Sequence, residues 1–241
     1  SPQSLVSYEG RDMSHNTTNI NWPRKYDVLG VHISATDYEQ AVATIIQAAQ
    51  ARDSAVVSLH AVHAVVTASG DPRMRSAVNQ FELVAPDGQP VRWALNRLYG
   101  TGLRDRVYGP ELTLRLCERA ARDGVPIFLY GGASDELLDQ LCENLLKKYP
   151  GLQIAGAYSP PFRPLTDDED RAVVEQINAS GAGLVFIGLG CPQQDFFAHE
   201  HKDRLHAVQV CVGAAFDFHA GRTPMAPVWM QRRGLEWLVR L

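Results

Sequence analysis

Most signatures of a membrane-spanning, secreted or metal-dependent protein are missing from these 241 residues. No apolar run approaches the roughly 20 residues that a bilayer-spanning helix needs. Only four cysteines occur, Cys117, Cys142, Cys191 and Cys211, and no two are spaced C-x-x-C. That argues against a zinc site, a redox dithiol or a disulfide framework, and for a reducing compartment. No D-x-D pair or histidine cluster stands at the end of an expected strand, so no metal is expected. Neither charge sign dominates: 23 Lys and Arg stand against 27 Asp and Glu, a formal charge of -4. Nothing in that balance points to nucleic acid. The G-x-G-x-x-G fingerprint of dinucleotide folds is also missing, and Gly188-x-Gly190-x-Pro192 approaches it only loosely. There is no internal repeat and no low-complexity segment.

What remains is an ordinary globular composition, 45% hydrophobic and 21% charged, enough for a sizeable core. Residues 1–25 are expected to be a leader left from expression and a loose N-terminus. Residues 26–241 are expected to form a single α/β domain. The pattern alternates strand and helix. Tyr26 to Ser34 reads as one extended segment, and Thr36-Asp37-Tyr38-Glu39 as a capping box opening a helix to about Ala51. Strands follow at Ala55–Leu59, Glu82–Ala85, Pro126–Tyr130, Gln153–Tyr158, Leu184–Leu189 and Val208–Val212. Helical spacing fills the intervals, including His60–Ser69, a helix opened by Asp71-Pro72, Glu111–Arg122, Ser134–Tyr149 and Gln193–Lys202. Thr166-Asp167-Asp168-Glu169 is a second capping box, and Pro227–Leu241 reads as a closing amphipathic helix. Several strands are continuous apolar runs, which favours a mostly parallel sheet with helices on both faces: a Rossmann-like α/β fold.

In such sheets ligands gather at the carboxyl ends of the strands. The candidate residues fall there: Ser58 and His60, Asp87, Gly131 and Gly132, Gly188 and Gly190 with Gln193 and Gln194, then Gly213. Asp87 closes the run Leu83-Val84-Ala85-Pro86 and is the leading candidate for a catalytic base. A plain Pro-Asp-Gly turn is the equal alternative. Arg106 reads either as a surface cation or as a phosphate clamp. Gly131-Gly132-Ala133-Ser134 opens a helix whose N–H groups suit an anion. Of Gln193 and Gln194, one is expected to face the cleft and the other solvent. The acidic run Asp167 to Asp170 is expected to serve the helix dipole rather than a metal. The final helix combines Trp229, Met230, Trp237 and Leu238 with Arg222, Arg232, Arg233 and Arg240, a composition that suits its own domain or a membrane surface.

Taken together, these residues resemble the WecG/TagA/CpsF family of bacterial glycosyltransferases. The matching pieces are Pro86-Asp87-Gly88, Arg106-Val107-Tyr108-Gly109-Pro110-Glu111-Leu112, Tyr130-Gly131-Gly132, Gly188-Leu189-Gly190-Cys191-Pro192-Gln193-Gln194-Asp195 and Val212-Gly213-Ala214-Ala215-Phe216-Asp217-Phe218. Ala220-Gly221, Ala226-Pro227 and Gly234-Leu235-Glu236-Trp237-Leu238 complete the match, in order, from about Tyr26 to Leu241.

The resemblance implies an inverting, metal-independent enzyme without a cofactor. Its donor would be a UDP-sugar, its acceptor a polyprenyl-diphosphate-linked sugar, and its place the cytoplasmic face of the bacterial membrane. Asp87 matches the family's catalytic aspartate, Arg106 its phosphate-contacting arginine, and Gln194 its donor-contacting glutamine. Ser58, His60 and Gln193 join the expected substrate contacts, and Gly131, Gly132, Gly188, Gly190 and Gly213 the expected nucleotide contacts. Where the family often carries Thr-x-Asn, this chain has Ser58-Leu59-His60. The departure leans away from an N-acetylmannosamine donor, and Pro86-Asp87-Gly88-Gln89-Pro90 and Arg106-Val107-Tyr108-Gly109-Pro110 are similar in wording to exopolysaccharide-pathway members, including those that transfer glucose. Family members also carry a C-terminal appendage thought to reach the membrane, and this chain stops where it would begin. A homo-oligomer stays open. The competing readings are a nicotinamide-dependent oxidoreductase and a non-catalytic UDP-sugar-binding partner.

Overall fold

A computed structural model describes residues 20–224 and Met230. The expected leader and the Pro227–Leu241 helix, apart from Met230, lie outside the described residues. Within them, Ile20 and Trp22 already pack against the core, so order begins before the expected boundary at residue 25.

The stretch expected to be one extended segment is a hairpin. Strands β1 (Lys25–Val28) and β2 (Val31–Ser34) pair antiparallel. Leu29 and Gly30 both take positive φ, 57° and 82°, the conformation that matches strand twist in two-residue hairpin turns. Asp27 Oδ1 accepts from Gly30 N at 2.9 Å. A leucine in that left-handed position hides the turn from a reading based on turn residues.

Helix α1 (Tyr38–Gln50) follows. Its N-cap is Asp37, which accepts from Gln40 N. Thr36 Oγ1 instead bonds the Asp37 carbonyl, so the capping box expected there is a simple aspartate cap. Next come β3 (Val56–His60), α2 (Val62–Gly70), α3 (Pro72–Asn79), β4 (Leu83–Pro86), α4 (Gln89–Tyr99) and α5 (Gly109–Asp123). The second half holds β5 (Ile127–Gly131), α6 (Asp135–Lys148), β6 (Ile154–Tyr158), α7 (Asp167–Ser180), β7 (Leu184–Gly188), α8 (Gln193–Glu200), β8 (Val208–Cys211) and α9 (Ala215–His219). Among these, α9 was not anticipated, and His60 ends a strand rather than opening a helix. Thr166 does form the expected reciprocal capping box with Glu169 at α7.

The main sheet has six strands in the order β4-β3-β8-β7-β5-β6, parallel throughout. This is the expected α/β architecture. Alternate strand residues feed two cores. Val57, Leu59, Leu129, Phe186 and Val210 meet α1, α5, α6 and α9. Val56, Val84, Phe128, Val185 and Ile187 meet α2, α3, α4, α7 and α8. Both faces must be apolar, and each fully buried large side chain contributes about 1.5–3 kcal/mol. That is why the inner strands read as unbroken apolar runs.

Two glycines let the central strands approach. A Cβ on Gly131, whose φ is +124°, would lie 2.7 Å from the Gly188 backbone. A Cβ on Gly188 would lie 2.6 Å from the Phe216 ring of α9. Both positions are closed to any side chain.

Candidate active site

All six strands are parallel, so their carboxyl ends share one edge, where several buried polar groups meet. The centre is Asp195, the third residue of α8 and fully buried. Its Oδ1 accepts from Ser58 Oγ at 2.7 Å and pairs with His60 Nε2 at 3.2 Å. Ser58 and His60 project from β3 and are themselves 0% and 1% exposed. The α8 N-terminus favours the carboxylate there. Two cysteines complete the enclosure. Burial and the Asp195 carboxylate push the Cys191 thiol up to about 12, and the same two causes raise Cys211 well above its ordinary value. Both are neutral thiols, not nucleophiles.

This cluster is incompletely satisfied. His60 Nδ1 and Asp195 Oδ2 are buried with no hydrogen-bond partner, as is Gln89 Oε1 at the start of α4. An unmet buried polar atom costs about 1–3 kcal/mol. For the paired His60 and Asp195, such atoms at a sheet's carboxyl edge suit a polar ligand.

Asp87 lies one strand away. Its N–H donates to the His60 carbonyl at 3.1 Å, so the turn after β4 is tied to the end of β3. Its Oδ2 accepts from Gly109 N at 3.4 Å, which sets the carboxylate at the N-terminus of α5. Tyr108 offers that helix no side-chain cap. A Cβ on Gly109 would lie 3.4 Å from Val212 O and 3.8 Å from Asp87 Oδ2. The glycine therefore lets α5 close against both the end of β8 and Asp87. Tyr38 OH accepts from Tyr108 N at 2.9 Å. Burial first, then the carboxylates Glu111, Asp105 and Asp87, push the Tyr38 phenol well up, so it stays protonated.

Arg106 is 5% exposed, and its guanidinium lies 4.4 Å from the centre of the Tyr108 ring. It is not the loose surface cation of the simpler sequence reading. Gln194 is buried and Gln193 exposed. Gln194 Oε1 accepts from Gly213 N at 2.9 Å, which fastens α8 to the loop after β8. Asp87, His60, Asp195, Ser58, Gln194 and Gly213 thus form a connected set.

Of the remaining glycines, Gly190 joins it through its carbonyl, which accepts from Gln194 N at 2.9 Å. Gly131 and Gly188 have the packing role given above, which holds without any ligand. Gly190 takes φ +77° with open space around it, and Gly132 takes φ +86° beside Leu137 and Leu138. The α6 N-terminus is already capped by Ser134, and its first turn carries Asp135 and Glu136. An anion held there would face two carboxylates. A surface cleft of about 380 Å³ nearby is lined by Ser134, Glu136, Gln140 and Arg222 among others. In the acidic run at the start of α7, Glu169 closes the capping box with Thr166, and Asp170 bonds His201 and Arg204. Among the described residues no cluster of three or more His, Cys, Asp or Glu could hold a metal ion.

In the sequence Asp195 stands only as part of a motif, and Gln89 and Tyr38 carry no mark of a site. For Asp195 one signal was available: a carboxylate at the third position of a helix directly behind a buried strand. Its pairing with Ser58 and His60, 137 and 135 residues away, has no local trace. A family model described as Glycosyl transferase WecG/TagA/CpsF family matches residues 26–241.

Proposed function

The chain belongs to the WecG/TagA/CpsF family of glycosyltransferases, enzymes of cell-surface polysaccharide synthesis, and we propose that it is an inverting, metal-independent member. In this reading it moves a sugar, glucose or an N-acetylmannosamine type, from a UDP-sugar to a polyprenyl-diphosphate-linked sugar. The carrying observation is the buried Ser58–Asp195–His60 cluster, with its unmet His60 Nδ1 and Asp195 Oδ2, one strand from Asp87 and joined to it through the His60 carbonyl.

Sugar hydroxyls are both donors and acceptors. A carboxylate oxygen and an imidazole nitrogen supply the complementary pair. Because Asp195 engages His60 Nε2, the ring is held in one orientation and Nδ1 is turned to the donor sugar. Gln194, whose Oε1 is bound to Gly213, keeps its Nε2 amide for the ligand. Asp87 takes the proton of the acceptor hydroxyl as that oxygen attacks the anomeric carbon. The bond from that carbon to the diphosphate breaks in the same displacement, and its electron pair leaves with UDP. One displacement inverts the anomeric centre. Arg106 meets the charge that develops on the leaving group.

Both substrates would meet at the cytoplasmic face of the cell membrane. No helix among the described residues is long and apolar enough to cross it. The test has two parts. UDP, and not NAD, should raise the melting temperature. Incubation with a UDP-sugar and a lipid-linked acceptor should release UDP in the parent and not in Asp87→Ala. Stabilisation by NAD would instead favour an oxidoreductase, and binding without UDP release a non-catalytic sugar-nucleotide partner.

A further inference from the structure

Helix α5 starts without a side-chain cap of its own, yet the first N–H groups of a helix need partners. Here the partners come from other parts of the chain. Four successive N–H groups lead into α5, and each has a different acceptor. Arg106 N donates to Asp105 Oδ1 at 2.8 Å, and Val107 N to Pro86 O at 3.0 Å. Tyr108 N donates to Tyr38 OH at 2.9 Å, and Gly109 N to Asp87 Oδ2 at 3.4 Å. Asp105 is itself held by Gln89 Nε2 at 3.3 Å. Three of these four anchors thus belong to the Asp87 turn or are held by the helix that follows it. The fourth is Tyr38, from α1, 70 residues before Tyr108.

Tyr38 is gripped from several sides. It is the first residue of α1, and Asp37 next to it fixes that helix end by accepting from Gln40 N. The Arg115 guanidinium of α5 lies 4.4 Å from the centre of the Tyr38 ring, and Glu111 Oε1 holds that arginine at 2.7 Å. Hydroxyl and ring therefore both meet α5, the hydroxyl at Tyr108 and the ring about two turns further on. Burial keeps the phenol protonated, so it accepts the Tyr108 bond without adding a negative charge near Asp87. Tyr108 in turn carries Arg106, whose guanidinium lies 4.4 Å over its ring. A hydroxyl that fixes the Tyr108 backbone fixes the platform on which the Arg106 charge rests.

We propose that Tyr38 is a positioning residue of the active site: acting through Tyr108, it holds the Arg106 guanidinium where the diphosphate of the donor arrives. This role deepens the glycosyltransferase reading and rests on it, since it takes UDP as the ligand that Arg106 meets. A contact that only starts α5 would add stability and leave ligand affinity alone.

The test is a double-mutant cycle, read by calorimetric titration of UDP into the full 241-residue chain. The four proteins are the parent, Tyr38→Phe, Arg106→Ala and the double variant. Tyr38→Phe should bind UDP roughly fivefold more weakly, the scale of one hydrogen bond. Arg106→Ala should bind it about tenfold more weakly or worse, the scale of a bond to a charged group. Once Arg106 is gone, Tyr38→Phe should change the affinity by less than about twofold, because residues that act as one unit are not additive. Thr166→Ala removes a cap at the start of α7; it controls for lost stability and should bind UDP as the parent does. Circular dichroism confirms that each variant is folded. Parent-like affinity in folded Tyr38→Phe would overturn the role. So would a fivefold loss in both backgrounds, which would make the phenol a ligand contact independent of Arg106. Unchanged affinity in Arg106→Ala would also overturn it, since nothing would then be held for UDP. A parent that binds no UDP would overturn the glycosyltransferase reading and this role with it, whereas the other outcomes leave that reading standing.

Discussion

Two histidine–aspartate pairs stand at the two ends of α8, and they differ in what they leave unmet. His201 and Asp170 lie 2.7 Å apart, and both ring nitrogens and both carboxylate oxygens are engaged, by Phe197 O, Asp170 and Arg204. His60 and Asp195 lie 3.2 Å apart, more deeply buried, with one atom on each side unpartnered. The same chemistry serves two ends. The first pair ties α7 to the segment after α8 and is complete. The second carries an energetic deficit that a ligand can relieve, and it lies beside Asp87. Of the two pairs, the one with unpartnered atoms is the one tied to Asp87.

Substitutions can break this contrast. The largest effect is expected beside the incomplete pair: Asp87→Ala should lower turnover roughly 10²-fold or more, with a stability loss of about 1 kcal/mol from the lost contact to Gly109 N. Near-normal UDP release in a folded variant would remove the base. Next comes Asp195→Asn, which keeps the shape and removes the charge that anchors Ser58 and His60. The expected loss in kcat/KM is about tenfold, the scale of a hydrogen bond to a charged group, with stability unchanged or improved because a buried anion is gone. A large loss of stability with unchanged kinetics would make this pair structural as well.

Asp170→Asn should do the reverse, costing about 1 kcal/mol of stability and leaving kcat alone. Burial alone would raise the Asp170 pKa, but hydrogen bonds from Arg204 and His201 outweigh it and hold the carboxyl below its usual value. A depressed carboxylate contributes stability above its unfolded pKa, about 4, and loses that contribution as pH falls through the lower folded value. Acid unfolding should therefore separate parent from variant at neutral pH and bring them together in strong acid. A constant gap would contradict the pairing. The smallest effect belongs to Thr166→Ala, about 1 kcal/mol or less from the lost cap, read by denaturant titration with activity unchanged.

The parallel sheet was legible because strands buried on both faces must be apolar throughout, as in Leu184–Gly188. The turn after Pro86, the Thr166 cap and the split between Gln193 and Gln194 were legible from local chemistry. The hairpin was not, since its turn needs a left-handed leucine, and the short α9 left no periodic signal. The close approaches of the glycines at 131 and 188 were not legible, because their partners, each other and Phe216, lie far along the chain. Asp195 was hidden for the same reason: its meaning arises only when α8 comes to rest against β3.

The most direct test of this contrast is calorimetric titration of UDP-sugar and of UDP alone into the parent and into His60→Ala. If the unmet His60 Nδ1 and its neighbouring carboxylate receive the donor sugar, the variant should bind UDP-sugar roughly fivefold to tenfold more weakly, the scale of one hydrogen bond, and bind UDP as the parent does. Equal affinity for UDP-sugar in both proteins, or an equal loss for UDP and UDP-sugar, would contradict it.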